Sequence, residues 1–299
     1  MIKLSESTIS TAKARASLWR RGFFGLIRKN KQAKIGFAII SFMLGLAIVV
    51  AITNFLHIQI VPYNPLTQNV GPDLAAPSLA HPFGTDEFGR DVFSRLIVAT
   101  PNDMGIGLAV VGFAFIVGTV IGSVAAFRGG LIDEILMRGT DVIFALPALV
   151  LALVIAIAIG PGLLHMTYVL MIIWWPSYAR LARGQALKII NQNYIEAARL
   201  SGKGTFRITF RHIVPNLFTT LLVYATLDIG GVVLVYAGLS YLGVSITPPA
   251  PDWGASVSNY QDYILSAPWL PLIPGAIIAF VVVGYSLLGD GLRDALEMR

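Results

Sequence analysis

Few residues in this chain are arranged to perform catalysis. The sequence contains no Gly-x-x-x-x-Gly-Lys-Ser/Thr loop to hold nucleotide phosphates, and neither a Gly-x-Ser-x-Gly nor a His-Glu-x-x-His pattern. With no cysteine, it offers no thiolate as a nucleophile or metal ligand. Its four histidines lie apart from one another, without the spacing of metal ligands: His57, His81, His165 and His212. We therefore expect no catalysis by this chain and no metal or cofactor bound to it.

Asp228 is the only carboxylate well inside a long apolar segment, where an ionisable group usually has a function. It could line a path for a solute or relay protons. The alternative is a structural role, either bonded to a helix of a partner subunit or simply protonated. Tyr236 follows eight residues later, so both side chains should point to nearly the same side of a helix. The pair Gly230-Gly231 between them should permit close approach of a partner helix. Asp228 and Tyr236 are the possible path-lining residues.

The elements that position these residues are membrane helices. Hydrophobic residues make up 56% of the chain, charged residues 13%, and the mean hydropathy is +0.73. A soluble domain would carry about twice that charge. Six segments are apolar and long enough to cross a bilayer, at about 35–55, 104–126, 141–160, 163–179, 217–244 and 270–288. The sequence therefore predicts an all-α polytopic membrane protein with six transmembrane helices, in a transmembrane domain at residues 35–299.

The basic residues fix the orientation of these spans. A net charge of +6 and a pI near 9.6 could suggest nucleic-acid binding, but the charges are not gathered on one binding face. With the N-terminus inside, 20 of the 22 Lys and Arg residues fall on inner loops or termini, and only Arg90 and Arg95 lie outside. This is the asymmetry that orients membrane proteins. We expect both termini in the cytoplasm, the lipid bilayer as the surrounding medium and no nucleic-acid partner.

Residues 1–34 are basic and show no pattern of a secretory signal peptide, so we expect them to form a cytoplasmic N-terminus. Apolar and basic residues occupy opposite sides of a helical wheel, with Trp19, Phe23, Leu26 and Ile27 on one side and Arg20, Arg21, Arg28 and Lys29 on the other. This pattern predicts an interfacial helix under the inner leaflet. A disordered basic tail is the alternative.

The segments expected outside the cell are polar and rich in proline and glycine, at residues 61–102 and 245–268. Within the first, apolar residues recur at helical spacing from Asp86 onward and indicate a short amphipathic helix on the outer face; they are Phe88, Val92, Phe93, Leu96 and Ile97. Gly160-Pro161-Gly162 predicts a tight outer turn between the third and fourth spans.

The cytoplasmic loop at residues 180–215 has the pattern of a helix–turn–helix. Residues 194–200 favour a helix, in which Glu196 is followed by a small face of Ala197 and Ala198 that would let a partner approach closely. Gly202 and Gly204 allow the turn that ends it. The second segment, 206–213, carries Arg207 and Arg211 on one face, with Phe206, Phe210 and Ile213 expected on the apolar side. Such a unit could act as a rigid lever; a generic amphipathic loop is the alternative.

Several motifs in this chain occur in the order typical of one transporter family. They are residues 81–95 (HPFGTDEFGRDVFSR), Glu196-Ala197-Ala198 with Gly202 and 211–216 (RHIVPN), 239–243 (LSYLG), 252–254 (DWG), 266–270 (SAPWL) and 288–296 (LGDGLRDAL). Over residues 28–299 the chain resembles a permease of dipeptide/oligopeptide ABC importers, and specifically the second membrane subunit of the pair. Two departures stand out: Thr100-Pro101-Asn102-Asp103 replaces the usual Gly-x-x-x-Ser, and Tyr236 stands where many members have glutamate.

The resemblance implies a type I ABC importer permease fold with a cytoplasmic coupling helix, in a prokaryotic inner membrane. It implies three kinds of partner: a homologous second permease, two ABC ATPase subunits and an extracytoplasmic solute-binding protein. ATP and Mg²⁺ would be bound by the ATPases, so this chain is expected to be a transport subunit and not an enzyme. Glu196, Ala197, Ala198, Gly202, Arg207 and Arg211 are the expected ATPase-coupling residues.

The cargo is left open by the sequence. Peptides or oligosaccharides are expected, and the same family also carries nickel chelates. Three other functions remain as alternatives: an ion-coupled secondary transporter, the permease of a related ABC exporter, and a membrane scaffold that moves nothing.

Overall fold

The computed structural model describes residues 27, 30–202 and 204–297 of the chain. Its helices are α1 (Lys31–Phe55), α2 (Val92–Arg128), α3 (Gly130–Phe144), α4 (Ala148–Ile159), α5 (Leu163–Ile190), α6 (Asn193–Leu200), α7 (Thr205–Ile208), α8 (Val214–Tyr241), α9 (Trp253–Tyr260) and α10 (Trp269–Glu297). A π-helical turn (Thr209–Ile213) joins α7 to α8, and a 3-10 turn (Gln261–Tyr263) follows α9. Over the described residues, β pairing is limited to an isolated bridge between Thr85 and Asp91, and the predicted all-α class is confirmed.

Four helical segments of the described chain are long and apolar enough to cross a membrane: α1, α2, Phe206–Tyr241 and Trp269–Asp294. The pair α3 and α4 makes a fifth if it counts as one broken span. The predicted span 163–179 lies within α5, whose apolar residues are interrupted by His165, Trp174, Trp175 and Pro176. Because of this interruption, α5 is not apolar enough to count as a span by composition. The described part of the chain therefore has four or five such spans, whereas six were predicted.

The predicted span 141–160 is broken. Helix α3 ends at Phe144 and α4 begins at Ala148, and the two axes meet at 83°. Pro147 stands at the break with φ −56°; it has no N–H to continue the helix and disfavours helical geometry in the residue before it. The turn after α4 is as predicted, since Gly160 and Gly162 both adopt positive φ.

The predicted outer amphipathic helix and the second predicted span form one helix, α2. It runs for 37 residues and contains Pro101. The Thr100 hydroxyl donates to the Leu96 carbonyl oxygen at 3.2 Å, one turn earlier. Asp91 begins the helix, because its side chain accepts a hydrogen bond from the Ser94 backbone N–H. The outer motif therefore leads directly into the membrane without a separate surface helix.

Helices α2 and α5 form the most extensive helix pair, and glycine permits their contact. A Cβ at Gly122 would lie 2.2 Å from the Ala179 carbonyl oxygen, and one at Gly118 would lie 2.4 Å from Tyr178 Cβ. No side chain fits at such distances, so the two backbones pack directly against each other. This contact fixes α5, which carries most of the residues that surround Asp228.

Helix α10 packs against α1 and α8. A Cβ at Gly230 would lie 3.1 Å from Tyr285 Cβ on α10, so this glycine serves a contact within the chain. The prediction that Gly230 faces a partner helix is therefore wrong, because α10 already occupies that side. The predicted N-terminal interfacial helix lies outside the described residues, apart from Ile27, which is buried beside Leu288 and Leu292.

Candidate functional site

Helix α6 presents part of the predicted coupling surface. Glu196 and Ala197 are exposed, whereas Ile195 and Ala198 are buried in a small core with Ile208. The predicted face of two adjacent alanines is therefore wrong, because successive helical residues point about 100° apart. Ala198 holds the helix to the protein, and Ala197 and Glu196 are left to meet a partner.

The turn after α6 depends on glycine. Gly202 has φ +73°, a left-handed conformation that other residues rarely adopt. Its backbone N–H donates to the Arg199 carbonyl oxygen at 2.9 Å. The preceding Ser201 hydroxyl donates to the Ala197 carbonyl oxygen at 2.7 Å. The chain thus reverses at Gly202, as its sequence position predicts.

The second half of the loop is rotated relative to its predicted face. Arg207 and Arg211 are exposed as expected, but Phe206 and Phe210 are exposed too, with ring centroids 4.5 Å apart. Ile208 is buried in place of the two phenylalanines. The π-helical turn accounts for this, because each of its turns contains more residues than an α-turn and so shifts the buried face. The predicted apolar side at Phe206 and Phe210 is wrong, and the two rings instead form an exposed aromatic pair.

Side-chain contacts tie this loop to the membrane helices. The Arg199 guanidinium lies over the Phe127 ring near the end of α2, 4.6 Å from its centroid. The Asn216 side-chain amide at the start of α8 donates to the Tyr194 hydroxyl at 3.0 Å. A force applied to α6 can therefore reach α2 and α8 through direct contacts.

Two arginines of α5 hold the bent α3–α4 segment. Arg183 donates two hydrogen bonds to the Asp133 carboxylate, at 2.5 and 2.6 Å, and Arg180 donates to Asp141 at 2.6 Å. Arg180 also stacks over Phe144, 4.2 Å from the ring centroid. Bidentate arginine–carboxylate pairs fix orientation as well as distance. Sequence analysis missed these pairs, although acidic residues at the inner end of the third predicted span, opposite the arginines that follow the fourth, are a usable signal.

Asp228 lies among aromatic residues. Its Oδ2 accepts a 2.7 Å hydrogen bond from the Trp174 indole N–H, across from α5 to α8. The buried Tyr178 hydroxyl approaches the same carboxylate. Tyr224 packs edge-on against Tyr178, with ring centroids 5.2 Å apart. A carboxylate in the membrane thus has an internal donor and remains half-buried.

Tyr236 is not beside Asp228 on an open surface. Its side chain is fully buried, and its hydroxyl donates to Asp252 Oδ2 at 2.6 Å. The prediction that Tyr236 lines a path is contradicted in this conformation, because α9 and its preceding loop cover it. Helical spacing gave the direction of the side chain but not what packs against it.

Asp103 is a second carboxylate within a membrane helix, so Asp228 is not the only one. It lies in α2 and is 1% exposed. Neither of its oxygens accepts a hydrogen bond from the described residues, and it faces the Asp252 charge. It belongs to the stretch where the sequence departs from the family pattern, which is the signal that could have identified it.

The outer motif is a structural unit held by buried ion pairs. Asp86 accepts a hydrogen bond from Arg90 Nε at 2.6 Å, and His81 Nδ1 lies 2.9 Å from Asp91 Oδ1. Burial raises the pKa of the Glu87 carboxyl and of the Tyr260 hydroxyl, which both lie beside this network. Its charges are paired internally, so the motif stabilises the outer cap of the membrane domain.

The fold and these sites define an integral membrane transport subunit with an exposed helix–turn–helix loop. Residues 118–299 match the family described as the inner membrane component of binding-protein-dependent transport systems, and the chain belongs to this family. It is therefore a permease subunit of a transport system, not an enzyme.

Curated relatives support this over most of the chain. It is 37% identical to the dipeptide transport system permease protein DppC of Alkalihalophilus pseudofirmus, over 94% of this chain and 90% of the relative. It is 34% identical to the oligopeptide transport system permease protein OppC of Bacillus subtilis, over 96% and 91%. A probable D,D-dipeptide transport system permease protein, DdpC of Escherichia coli, is 38% identical over 68% of each chain. The resemblance to dipeptide/oligopeptide permeases is confirmed, and the importer is favoured over a secondary transporter or exporter.

Proposed function

We propose that this chain pairs with a homologous permease and that the two form the membrane pathway of an ATP-driven peptide importer. Two ABC ATPase subunits bind the cytoplasmic loop, and a solute-binding protein delivers cargo at the opposite face. ATP and Mg²⁺ are held by the ATPases, because this sequence has no phosphate-binding loop. Both termini then face the cytoplasm of a prokaryotic cell, in line with the distribution of basic residues.

The observation that carries this proposal is the anchored, exposed surface of the cytoplasmic loop. Exposed apolar groups on a soluble face mark a protein contact, and Phe206 is 75% and Leu200 84% exposed. Glu196, Arg207 and Arg211 add exposed charge around them. Because α6 contacts α2 through Arg199, movement of a bound ATPase can be transmitted as a rigid-body change in the membrane.

The peptide cargo rests on the relatives, whose names specify dipeptides, oligopeptides or D,D-dipeptides. Oligosaccharides and nickel chelates are the other cargo classes that the sequence left open. Uptake by the complete transporter, assembled with its ATPases, second permease and binding protein, should therefore be measured with Ala-Gln, a linear oligosaccharide and a nickel chelate. ATP-dependent accumulation of the dipeptide supports the proposal, and accumulation of only another cargo would contradict it.

Coupling is tested at the glycine turn. Gly202→Val should abolish ATP-driven uptake while the permease still reaches the membrane, because a β-branched residue strongly disfavours φ +73°. Gly204→Val is the matched control: it lies two residues away, has no positive φ and has nothing within 4 Å of an added Cβ. Glu196→Lys should also reduce uptake, by reversing an exposed charge. Wild-type uptake and ATPase stimulation in Gly202→Val would contradict the coupling role.

A further inference from the structure

The Asp228 carboxylate has open space beside one of its two oxygens. Its Oδ2 accepts the hydrogen bond from the Trp174 indole N–H, and the Tyr178 hydroxyl is directed at the same carboxylate. Gly231 lies beside it: a Cβ built there would be 3.8 Å from Oδ1, with no other heavy atom within 4 Å. The absence of a side chain at Gly231 therefore leaves space next to Oδ1. Asp228, Gly231 and Trp174 are all partly exposed, so this space is accessible.

Aromatic side chains surround the same carboxylate. Trp174 and Tyr178 lie one turn apart on α5, and Tyr224 lies one turn before Asp228 on α8. Tyr178 is fully buried, and its hydroxyl is directed at Asp228. Trp174 also lines a cavity of about 110 Å³ at the bend between α3 and α4. The site thus combines a carboxylate, aromatic rings around it and open space beside Oδ1.

This combination suits a positively charged organic group. A carboxylate attracts the charge and accepts its hydrogen bonds, and aromatic rings stabilise a cation through their faces. An anion would be repelled by the carboxylate, and a neutral group would gain neither interaction. A purely structural role for the Trp174 bond would not need the charge, because an amide oxygen accepts the same hydrogen bond. A lipid-facing position is also unfavourable, since an ionised carboxylate in the membrane is costly.

We propose that Asp228, Trp174, Tyr178 and Tyr224 form a subsite that binds a cationic side chain of the transported solute. This proposal rests on the function proposed above, that of a peptide importer. Asp228 Oδ1 accepts hydrogen bonds from the ammonium group, the neighbouring aromatic residues stabilise its charge, and Gly231 leaves room for its approach. The subsite favours peptides with a lysine-type side chain over neutral peptides of the same length.

The test compares three dipeptides in the complete transporter: Ala-Lys, Ala-Gln and Ala-Glu. In Asp228→Asn, which keeps an acceptor for Trp174 and removes the charge, kcat/KM for Ala-Lys uptake should fall about tenfold relative to Ala-Gln. The ratio of Ala-Glu to Ala-Gln uptake should not fall in this variant. An equal change for Ala-Lys and Ala-Gln, or no change for either, would overturn the proposal.

A second variant distinguishes loss of cargo binding from loss of assembly with the second permease. Gly231→Leu keeps the carboxylate and the Trp174 bond but fills the space beside Oδ1. It should therefore also lose the preference for Ala-Lys over Ala-Gln. If Asp228→Asn fails to copurify with the second permease, the proposal is tested by Gly231→Leu alone. An unchanged preference of Gly231→Leu for Ala-Lys over Ala-Gln would then reject the subsite. Failure of the proposed function can be distinguished from failure of the subsite. If the chain is not part of a peptide importer, the wild-type transporter takes up none of the three dipeptides.

Discussion

The Tyr236 hydroxyl and Asp252 Oδ2 are joined by a 2.6 Å hydrogen bond that fixes the outer helix α9 to the membrane helix α8. Asp252 also accepts a hydrogen bond from Ser240 at 3.1 Å and, as the first residue before α9, from the Ala255 backbone N–H at 2.8 Å. The contact is close, since a Cβ at Gly254 would lie 2.2 Å from the Ala237 carbonyl oxygen. One buried carboxylate therefore begins α9 and docks it at the same time.

Removing the Tyr236 hydroxyl should destabilise this junction. We expect Tyr236→Phe to lower the free energy of unfolding by about 1–3 kcal/mol, because a buried carboxylate oxygen loses its stronger donor. The measurement is the loss of folded permease with temperature in detergent. Tyr241→Phe is the matched control: its hydroxyl bonds Gln261, but its side chain is 40% exposed and water can replace the bond. Equal stability of the two variants would show that the Tyr236 bond contributes little.

This junction shows what the sequence could and could not predict. Apolar runs and the clustering of proline and glycine located the helices, because crossing a bilayer constrains length and composition directly. They did not predict that α9 covers Tyr236, since helical periodicity gives a direction on one helix and says nothing of the next element. The same limit applies to Gly230. Its sequence position suggested an interface with another subunit, but in the structure it packs against α10 of this chain.

The candidate site was predictable to a similar degree. Gly202 was identified as the turn because glycine alone fits such a backbone readily, and the exposure of Glu196 followed from its charge. The burial of Ile208 in place of Phe206 was not predictable, since a π-helical turn leaves no reliable mark in the sequence. The pairing of Arg183 with Asp133 joins residues that are far apart in the chain, and only the fold brings them together.

The contact between α2 and α5 should tolerate no side chain at Gly122. We expect Gly122→Val to prevent stable accumulation of the permease, because the added Cβ would meet the Ala179 backbone oxygen at 2.2 Å and overpacking against backbone costs about 1–3 kcal/mol or more. Membrane-inserted, detergent-stable protein is the quantity to measure. Gly112→Val is the control, since it lies in the same helix with nothing within 4 Å and carries the same helix-propensity cost. Comparable yields of the two variants would contradict direct backbone packing.

Orientation is the last prediction, and the chain is well suited to test it because it contains no cysteine. Ser201 lies in the exposed turn of the basic loop, and Thr67 is exposed in the proline-rich segment expected outside. An impermeant thiol reagent should label Thr67→Cys in intact cells, and Ser201→Cys only after the membrane is opened.

The structure strengthens this expectation. The two basic residues assigned outside, Arg90 and Arg95, are buried, Arg90 in contact with Asp86 and Arg95 donating to the Pro65 carbonyl oxygen at 2.9 Å. Arg207 and Arg211, on the loop assigned inside, are exposed. This distribution is the one that the positive-inside rule predicts if the loop with Arg207 and Arg211 lies in the cytoplasm. Labelling of Ser201→Cys in intact cells, with Thr67→Cys protected, would show that the topology is opposite to the predicted one. The loop could then not bind a cytoplasmic ATPase.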